Sequence, residues 1–337
     1  MPKIAVDAMG GDDGLLTSLP GIIHFLNTYP SDDIEFAIFG NKVQIEYFFS
    51  QRPYSCKIEI IDTGQNVIQN DANPIHAIRN SRGTSMYEAI ASVAEGSFDA
   101  VVSSGNTGAY MVLSKLLIGT ISGVMRPALV NVLPTKRGRT IMLDLGANTD
   151  CTADKLHQFA IMGKAVSRAL LGIDNPIVGL LNIGIEKSKG TEALGIAYEL
   201  LSHERSLNFC GFIEGNNIMD GSVDVIVTDG FSGNIALKTL EGTVKFMISL
   251  IKNEILSNPF AKIGYFLGFK NVFNSLRKKI EPSLYNGAPF VGLNSVVVKS
   301  HGGSDYIGFA HAIHTSAELV RNEFIKHVEN YLGDMHE

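Results

Sequence analysis

AVVSSGNTGA, residues 100–109, decides how the fold is read. Three apolar residues run without polar alternation, and Ser103-Ser104-Gly105-Asn106-Thr107-Gly108 follows them. Such a run suits a strand buried on both faces, and a turn of glycine and small polar residues suits the passage from strand to helix. The same pattern recurs in both directions. IAVDAMGGDDG (4–14) and FAIFGN (36–41) precede it, and IMLDLGANTD (141–150), VGLLNIG (178–184) and VIVTDGFSGN (225–234) follow. The 34 glycines gather just after these runs.

Helical patterns separate several of the runs. Ser85-Met86-Tyr87-Glu88 has capping-box spacing, with Met86, Ile90, Val93 and Ala94 on one apolar face. Thr152 is placed to cap a second helix carrying Leu156, Phe159, Val166 and Leu170, and Gly172 to end it. Ser232 and Asn234 are read as opening a third, with Leu237, Leu240, Val244, Met247 and Ile251. Strands alternating with helices predict an α/β fold, a doubly wound, largely parallel sheet with helices on both faces and right-handed crossovers. No linker divides residues 1–337, which read as a single α/β catalytic domain. Within it, NPFAKIGYFLGFKNVFNSLRKKIEPS (258–283) is rich in phenylalanine and sets five basic residues against Glu281. If helical, it places Phe266, Phe269, Phe273, Leu276 and Ile280 on one face, as a protruding amphipathic arm. Packing of the same face at a dimer interface is the alternative. A strand at 295–298 and a final helix near 308–331 close the chain.

Composition removes several classes. A formal net charge of −6 over 337 residues argues against a nucleic-acid binder. Neither a leader peptide nor a run approaching the roughly 18 apolar residues of a spanning helix is visible. Cys56, Cys151 and Cys210 lie far apart, which suits a reducing, cytoplasmic setting. The dinucleotide fingerprint, the P-loop, the zincin motif and the nucleophile elbow are all missing. His311 and His314 are read as a solvated helix face, so neither metal nor cofactor is expected.

In a parallel sheet the strand-to-helix loops gather at the carboxyl edge, where ligands bind. Here those loops are Ser104-Gly105-Asn106-Thr107-Gly108, Gly146-Ala147-Asn148, Asn182-Ile183-Gly184, Gly230-Phe231-Ser232-Gly233-Asn234 and His301-Gly302-Gly303-Ser304. Glycine admits close backbone approach, and helix N-termini add partial positive charge. Several such loops on one edge would hold a phosphate dianion through backbone N–H groups. From the residues alone, this is an anion-binding α/β enzyme.

The ordered segments VDAMGGD (6–12), FDAVVSSGNTGA (98–109), RPALVNVLPT (126–135), LDLGANTDC (143–151), LHQFAIMGKA (156–165), GLLNIGIEKSKG (179–190), VTDGFSGNIALKTLEG (227–242) and NGAPFVGLNSVVVKSHGGSD (286–305) resemble the PlsX-type phosphate acyltransferase family. The chain departs from that pattern near 185–191 and 212–217. The resemblance implies an isocitrate/isopropylmalate dehydrogenase-like fold. It also implies transfer of an acyl group from acyl carrier protein to inorganic phosphate, for phospholipid synthesis. A phosphate oxygen can attack the thioester carbonyl directly, so the protein needs to hold the dianion and stabilise the oxyanion. On this basis Lys189, Asn234 and His301 are expected to be catalytic. Asp7, Gly10, Gly11, Ser104, Gly105, Asn106, Thr107, Asp144, Asn148, Asn182, Gly190, Gly230, Ser232 and Gly233 are expected to bind substrate or phosphate. The resemblance further implies a homodimer, reversible association with the membrane surface, and a membrane glycerol-3-phosphate acyltransferase downstream. Arg79 and Arg82 are the expected contact for the acidic carrier. Transfer to coenzyme A, as in phosphate acetyltransferases, and a non-catalytic module binding acyl carrier protein or lipid are the alternatives.

Overall fold

The computed structural model describes residues 1–29, 33–54, 56–64, 80–258 and 286–333, with isolated positions between 260 and 275. The strands are β1 (Lys3–Asp7), β2 (Glu35–Gly40), β3 (Lys57–Asp62), β4 (Ala100–Ser103), β5 (Ala128–Thr135), β6 (Gly138–Leu143), β7 (Ile177–Leu181), β8 (Asn208–Ile213), β9 (Val225–Val227), β10 (Ala288–Val291) and β11 (Val296–Lys299). The helices are α1 (Leu15–Thr28), α2 (Lys42–Ser50), α3 (Ser85–Ala94), α4 (Thr107–Leu117), α5 (Ala153–Leu171), α6 (Glu192–His203), α7 (Gly230–Ser257), α8 (Tyr306–Arg321) and α9 (Phe324–Gly333). The strands form one sheet in the order β3-β2-β1-β4-β11-β10-β5-β6-β9-β7-β8.

Side-chain alternation along the strands explains why both faces are covered. Ile4 and Val6 of β1 pack with Leu19, Ile22 and Phe25 of α1 and Phe309 and Ile313 of α8. Ala5, between them, faces the other way, towards Met86, Ile90 and Val93 of α3 and Tyr110 and Leu113 of α4. Val297 of β11 divides from Val296 and Val298 in the same manner. Helices α1 and α8 meet closely: a Cβ added at Gly21 would lie 2.9 Å from a ring carbon of Phe309. Burial of a phenylalanine of this kind contributes about 1.5–3 kcal/mol.

The largely parallel, two-faced sheet agrees with the expectation, but its centre does not follow a simple parallel winding. Strands β1 to β4 and β11 run parallel, as do β6, β7, β8 and β9. Between these groups, the pairs β11–β10, β10–β5 and β5–β6 are each antiparallel. Three reversals leave the two parallel groups pointing in opposite directions. The carboxyl ends of β6, β7 and β9 therefore open on the edge opposite those of β1, β4 and β11. The expected gathering of all glycine loops on one edge is thus incorrect. Its cause is the pair β5 and β10, and β5 returns to β6 through a tight turn at Lys136-Arg137.

Several local readings also change. Helix α3 is capped by Thr84, whose side chain accepts from Tyr87 N, and Glu88 accepts from Gly83 N, one residue earlier than the expected box. Helix α7 begins at Gly230 under an Asp229 cap, so Ser232 and Asn234 lie inside the helix and not before it. Thr152 and Gly172 do bound α5, with Gly172 at φ 71°. The final helix is two, broken at Asn322-Glu323, where Glu323 takes φ 48°. His311 and His314 are half-buried against Tyr29, with His314 stacked at 4.1 Å between ring centroids. Burial pushes His311 down to about 4, so this pair is not a solvated face. Among the described residues, no helix is long and apolar enough to cross a membrane. Phe266, Phe269, Phe273, Leu276 and Ile280 of the expected arm lie outside the described residues, as does Arg79.

Candidate active site

Buried strand ends deliver polar residues to a cavity of about 510 Å³ where β1, β4 and β11 finish. Asp7, Gly10 and Gly11 come from β1 and its loop, Ser104, Gly105, Asn106 and Thr107 from the β4–α4 turn, and Lys299 and His301 from β11 and its loop. These include eight of the residues expected from sequence: Asp7, Gly10, Gly11, Ser104, Gly105, Asn106, Thr107 and His301.

The cavity floor is tightly built. Asp7 accepts from Ser85 Oγ and from Ser103 Oγ, each at 2.6 Å, which ties α3 and β4 to the end of β1. Ser104 Oγ donates to the Gly10 carbonyl at 2.8 Å. Gly11 adopts φ 88°, where a side chain would be strained. Asn106 caps α4 by accepting from Ala109 N at 3.0 Å. The N–H groups of Thr107 and Gly108 then have no acceptor within the helix, and they carry the positive end of its dipole. The loop that carries His301 is held by Asn286, which donates to Ser300 Oγ and Ser304 Oγ and accepts from His301 N.

Electrostatics distinguishes the groups in this cavity. Burial raises the Asp7 carboxyl above its ordinary value, although Ser103, Ser85 and two backbone N–H groups oppose the rise. Lys299 is 6% exposed, and burial lowers it to about 8 against the pull of Asp7 and Asp12. His301 is held below its ordinary value, first by desolvation and then by Lys238. Its Nδ1 accepts from Gly303 N at 3.2 Å, which leaves Nε2 to carry the proton of the neutral ring. A neutral imidazole is a weak proton donor to a thiolate and can donate a hydrogen bond through Nε2. Lys299, Asp12, Ser85 and Ser103 are not among the site residues expected from sequence, where Ser85 is read only as the start of a capping box. The lysine did leave a signal, a charge ending the apolar run VVVK (296–299).

The remaining expected residues lie on the other edge. Asp144 is fully buried and accepts from Leu129 N, Ala147 N, Asn148 N and Asn148 Nδ2 at 2.6–3.1 Å. Burial nevertheless raises its carboxyl. Helix α7 packs its first turn against this 144–148 turn: a Cβ on Gly230 would lie 2.5 Å from the Asn148 carbonyl oxygen, and one on Gly233 would strike the Asp144 carbonyl. Ser232 is occupied by Asp229, and Asn234 sits beside Gly146. In the next loop Asn182 Nδ2 donates to the Lys189 carbonyl at 3.0 Å, closing a turn in which Gly190 adopts φ 94°. Lys189 is half-exposed and pairs with Glu186 at 3.2 Å.

Comparison with known proteins gives this arrangement a family. The chain is 44% identical to the phosphate acyltransferase of Rhodospirillum centenum over 331 residues, covering 98% of this chain and 92% of that protein. Its fold is similar to that of a phosphotransacetylase from Streptococcus pyogenes, with TM-score 0.59, 17% identity, and 96% and 94% of the two chains covered. It is likewise similar to 4-hydroxythreonine-4-phosphate dehydrogenase from Klebsiella pneumoniae, with TM-score 0.50, 15% identity and coverage of 95% and 99%. The dehydrogenase-like architecture expected from sequence agrees with this likeness. The family model described as fatty acid synthesis protein matches residues 2–327, and the chain belongs to that family.

Proposed function

We propose that this protein transfers a fatty acyl group from the thioester of acyl carrier protein to inorganic phosphate, releasing acyl phosphate and the carrier's thiol. The observation that carries the reading is the cavity at the ends of β1, β4 and β11, where Gly10 and Gly105 bring backbone together at the mouth of α4. A small tetrahedral anion fits such a floor because backbone N–H groups hold it without a dense lysine cluster. In the reaction a phosphate oxygen forms the new bond to the thioester carbonyl carbon. The carbon–sulfur bond breaks, and the thiolate takes a proton. No protein nucleophile is required, so the contribution of the site is orientation and charge.

Lys189, in its loop, and Asn234, near the start of α7, are assigned to the same reaction by family resemblance alone, and both lie on the edge opposite the β1–β4–β11 cavity. The whole chain acts as one α/β unit, with 258–283 as an inserted segment. A homodimer is part of the reading, supported by the exposed apolar residues Phe246, Met247, Leu250 and Ile251 along α7. Such a face covered by a second copy would leave water. Arg82 is a docking contact for the acidic carrier, in the cytoplasm, with reversible attachment to the membrane surface. Acyl phosphate would there supply a membrane glycerol-3-phosphate acyltransferase.

The test is release of thiol by the purified protein from palmitoyl-ACP or palmitoyl-CoA, with and without phosphate. Phosphate-dependent release from the carrier thioester is expected. Preferential turnover of the coenzyme A thioester would favour phosphotransacetylase-like chemistry, and binding without turnover would favour a non-catalytic module.

A further inference from the structure

We propose that Lys299 is the cation that receives the phosphate dianion in the β1–β4–β11 cavity. The inference rests on the acyl-transfer reading for the identity of the anion, and it adds a residue that neither the family resemblance nor the loop pattern supplied.

Three observations carry it. Lys299 is buried yet lines an open cavity, so its ammonium has exchanged most of its water for whatever the cavity holds. An ammonium has three N–H donors, and among the described residues one goes to the Ser300 carbonyl. Two remain for a ligand. Moreover, Asp7 is already served by Ser85 Oγ, Ser103 Oγ and the N–H groups of Met9 and Gly10, so its carboxylate does not depend on the lysine for hydrogen bonds.

Charge makes the lysine necessary. The N–H groups that invite an anion share the cavity with the buried carboxylate of Asp7, which repels one. Asp12 adds a second negative group, but it is exposed and screened by water. His301 is largely neutral near pH 7 and contributes no full charge. Lys299 is thus the charge that offsets Asp7 and leaves the helix terminus free to act on phosphate.

The same oxyanion chemistry occurs in inorganic phosphate and in the phosphodiester of the carrier's prosthetic arm, and the experiment separates them. Lys299→Met and Lys299→Gln are assayed for KM towards phosphate and towards acyl-ACP. Phosphate-induced thermal stabilisation is measured in parallel with inorganic phosphate alone. A folded variant is expected to raise KM for phosphate roughly ten- to a hundredfold, the range for losing a charged hydrogen bond, and to lose the thermal shift. KM for acyl-ACP is expected to stay within about twofold. Lys299→Arg, which keeps the charge, is expected to retain part of the affinity. If both neutral variants misfold, the wild-type protein carries the test: phosphate-induced thermal stabilisation is expected to fade as the lysine loses its proton near pH 8, and a shift unchanged from pH 7 to about 9.5 overturns the proposal. Wild-type phosphate affinity in any folded variant lacking the lysine overturns the proposal, as does a rise confined to KM for acyl-ACP. Should the wild-type protein fail to turn over acyl-ACP, the acyl-transfer reading falls, while the thermal shift still decides whether Lys299 binds phosphate.

Discussion

Gly10 and Gly105 approach so closely that a Cβ on Gly10 would stand 2.7 Å from the Gly105 nitrogen and 2.5 Å from Asp7 Oδ2. Two loops from neighbouring strands therefore meet with no room for a side chain. Gly10→Ala is expected to cost about 1–3 kcal/mol through forced backbone shifts. It should also weaken phosphate binding, because the displaced backbone belongs to the cavity floor. Denaturant midpoints together with KM for phosphate check this. Unchanged values of both would mean that the loops are not rigidly apposed.

The buried lysine gives the protein a pH signature. Its folded value of about 8 lies below the ordinary 10.5, so between these values the unfolded chain binds more protons than the folded one. Stability on its account is present in full above about 10.5 and is lost as pH falls through about 8, with a span of about 3 kcal/mol at most. Asp7 on β1, Asp12 in the loop after it and His301 beyond β11 are the titratable groups that act on it or feel it. His301, held below its ordinary value, is neutral throughout this window. Two profiles check the assignment. The denaturant midpoint should gain from pH 8 to 10 in the wild type relative to Lys299→Met, and kcat/KM for phosphate should fall with a midpoint near pH 8 that moves upward in Lys299→Arg. Identical profiles would remove Lys299 from both processes.

Stability away from the cavity depends on the contact between α1 and α8. Phe309 is fully buried, and Gly21 lies directly against its ring. Phe309→Ala is expected to destabilise by about 3–5 kcal/mol, while the folded fraction keeps its KM for phosphate. A loss below 1 kcal/mol in urea titration would mean that this helix pair contributes little to the core.

Residues on the second edge provide a contrast. Asn234→Ala and Lys189→Ala are each expected to lower kcat/KM by about ten- to a thousandfold, the span for losing one electrostatic donor. Because both residues lie on the edge opposite Lys299, phosphate-induced thermal stabilisation should persist in both variants. Wild-type turnover at subsaturating phosphate would end their catalytic assignment.

Much of this arrangement was legible in the sequence, and the gaps have identifiable causes. The runs ending at Asp7, Ser103 and Val227 gave strands because they are buried on both sides and carry no polar alternation. Thr152 and Gly172 marked α5 because a cap and a left-handed stop need particular residue types. Strands β5 and β10 were harder to read. ALVNVLPT mixes polar residues and a proline, and APFV is short, so the antiparallel reversals that split the glycine loops between two edges left no periodic signal. Pairing order is a long-range property that no single loop encodes. Lys299 is hard to read for a related reason: VVVK shows its position at a strand end, but its burial depends on the loops and helices that the fold brings around that end.

The most direct measurement is mass-spectrometric detection of the product formed by the purified protein from palmitoyl-ACP and inorganic phosphate, with hydroxylamine trapping as a check. Stoichiometric palmitoyl phosphate and free carrier thiol, both strictly dependent on phosphate, are expected. Free palmitate in place of acyl phosphate, or thiol release at the same rate without phosphate, would contradict acyl transfer to phosphate.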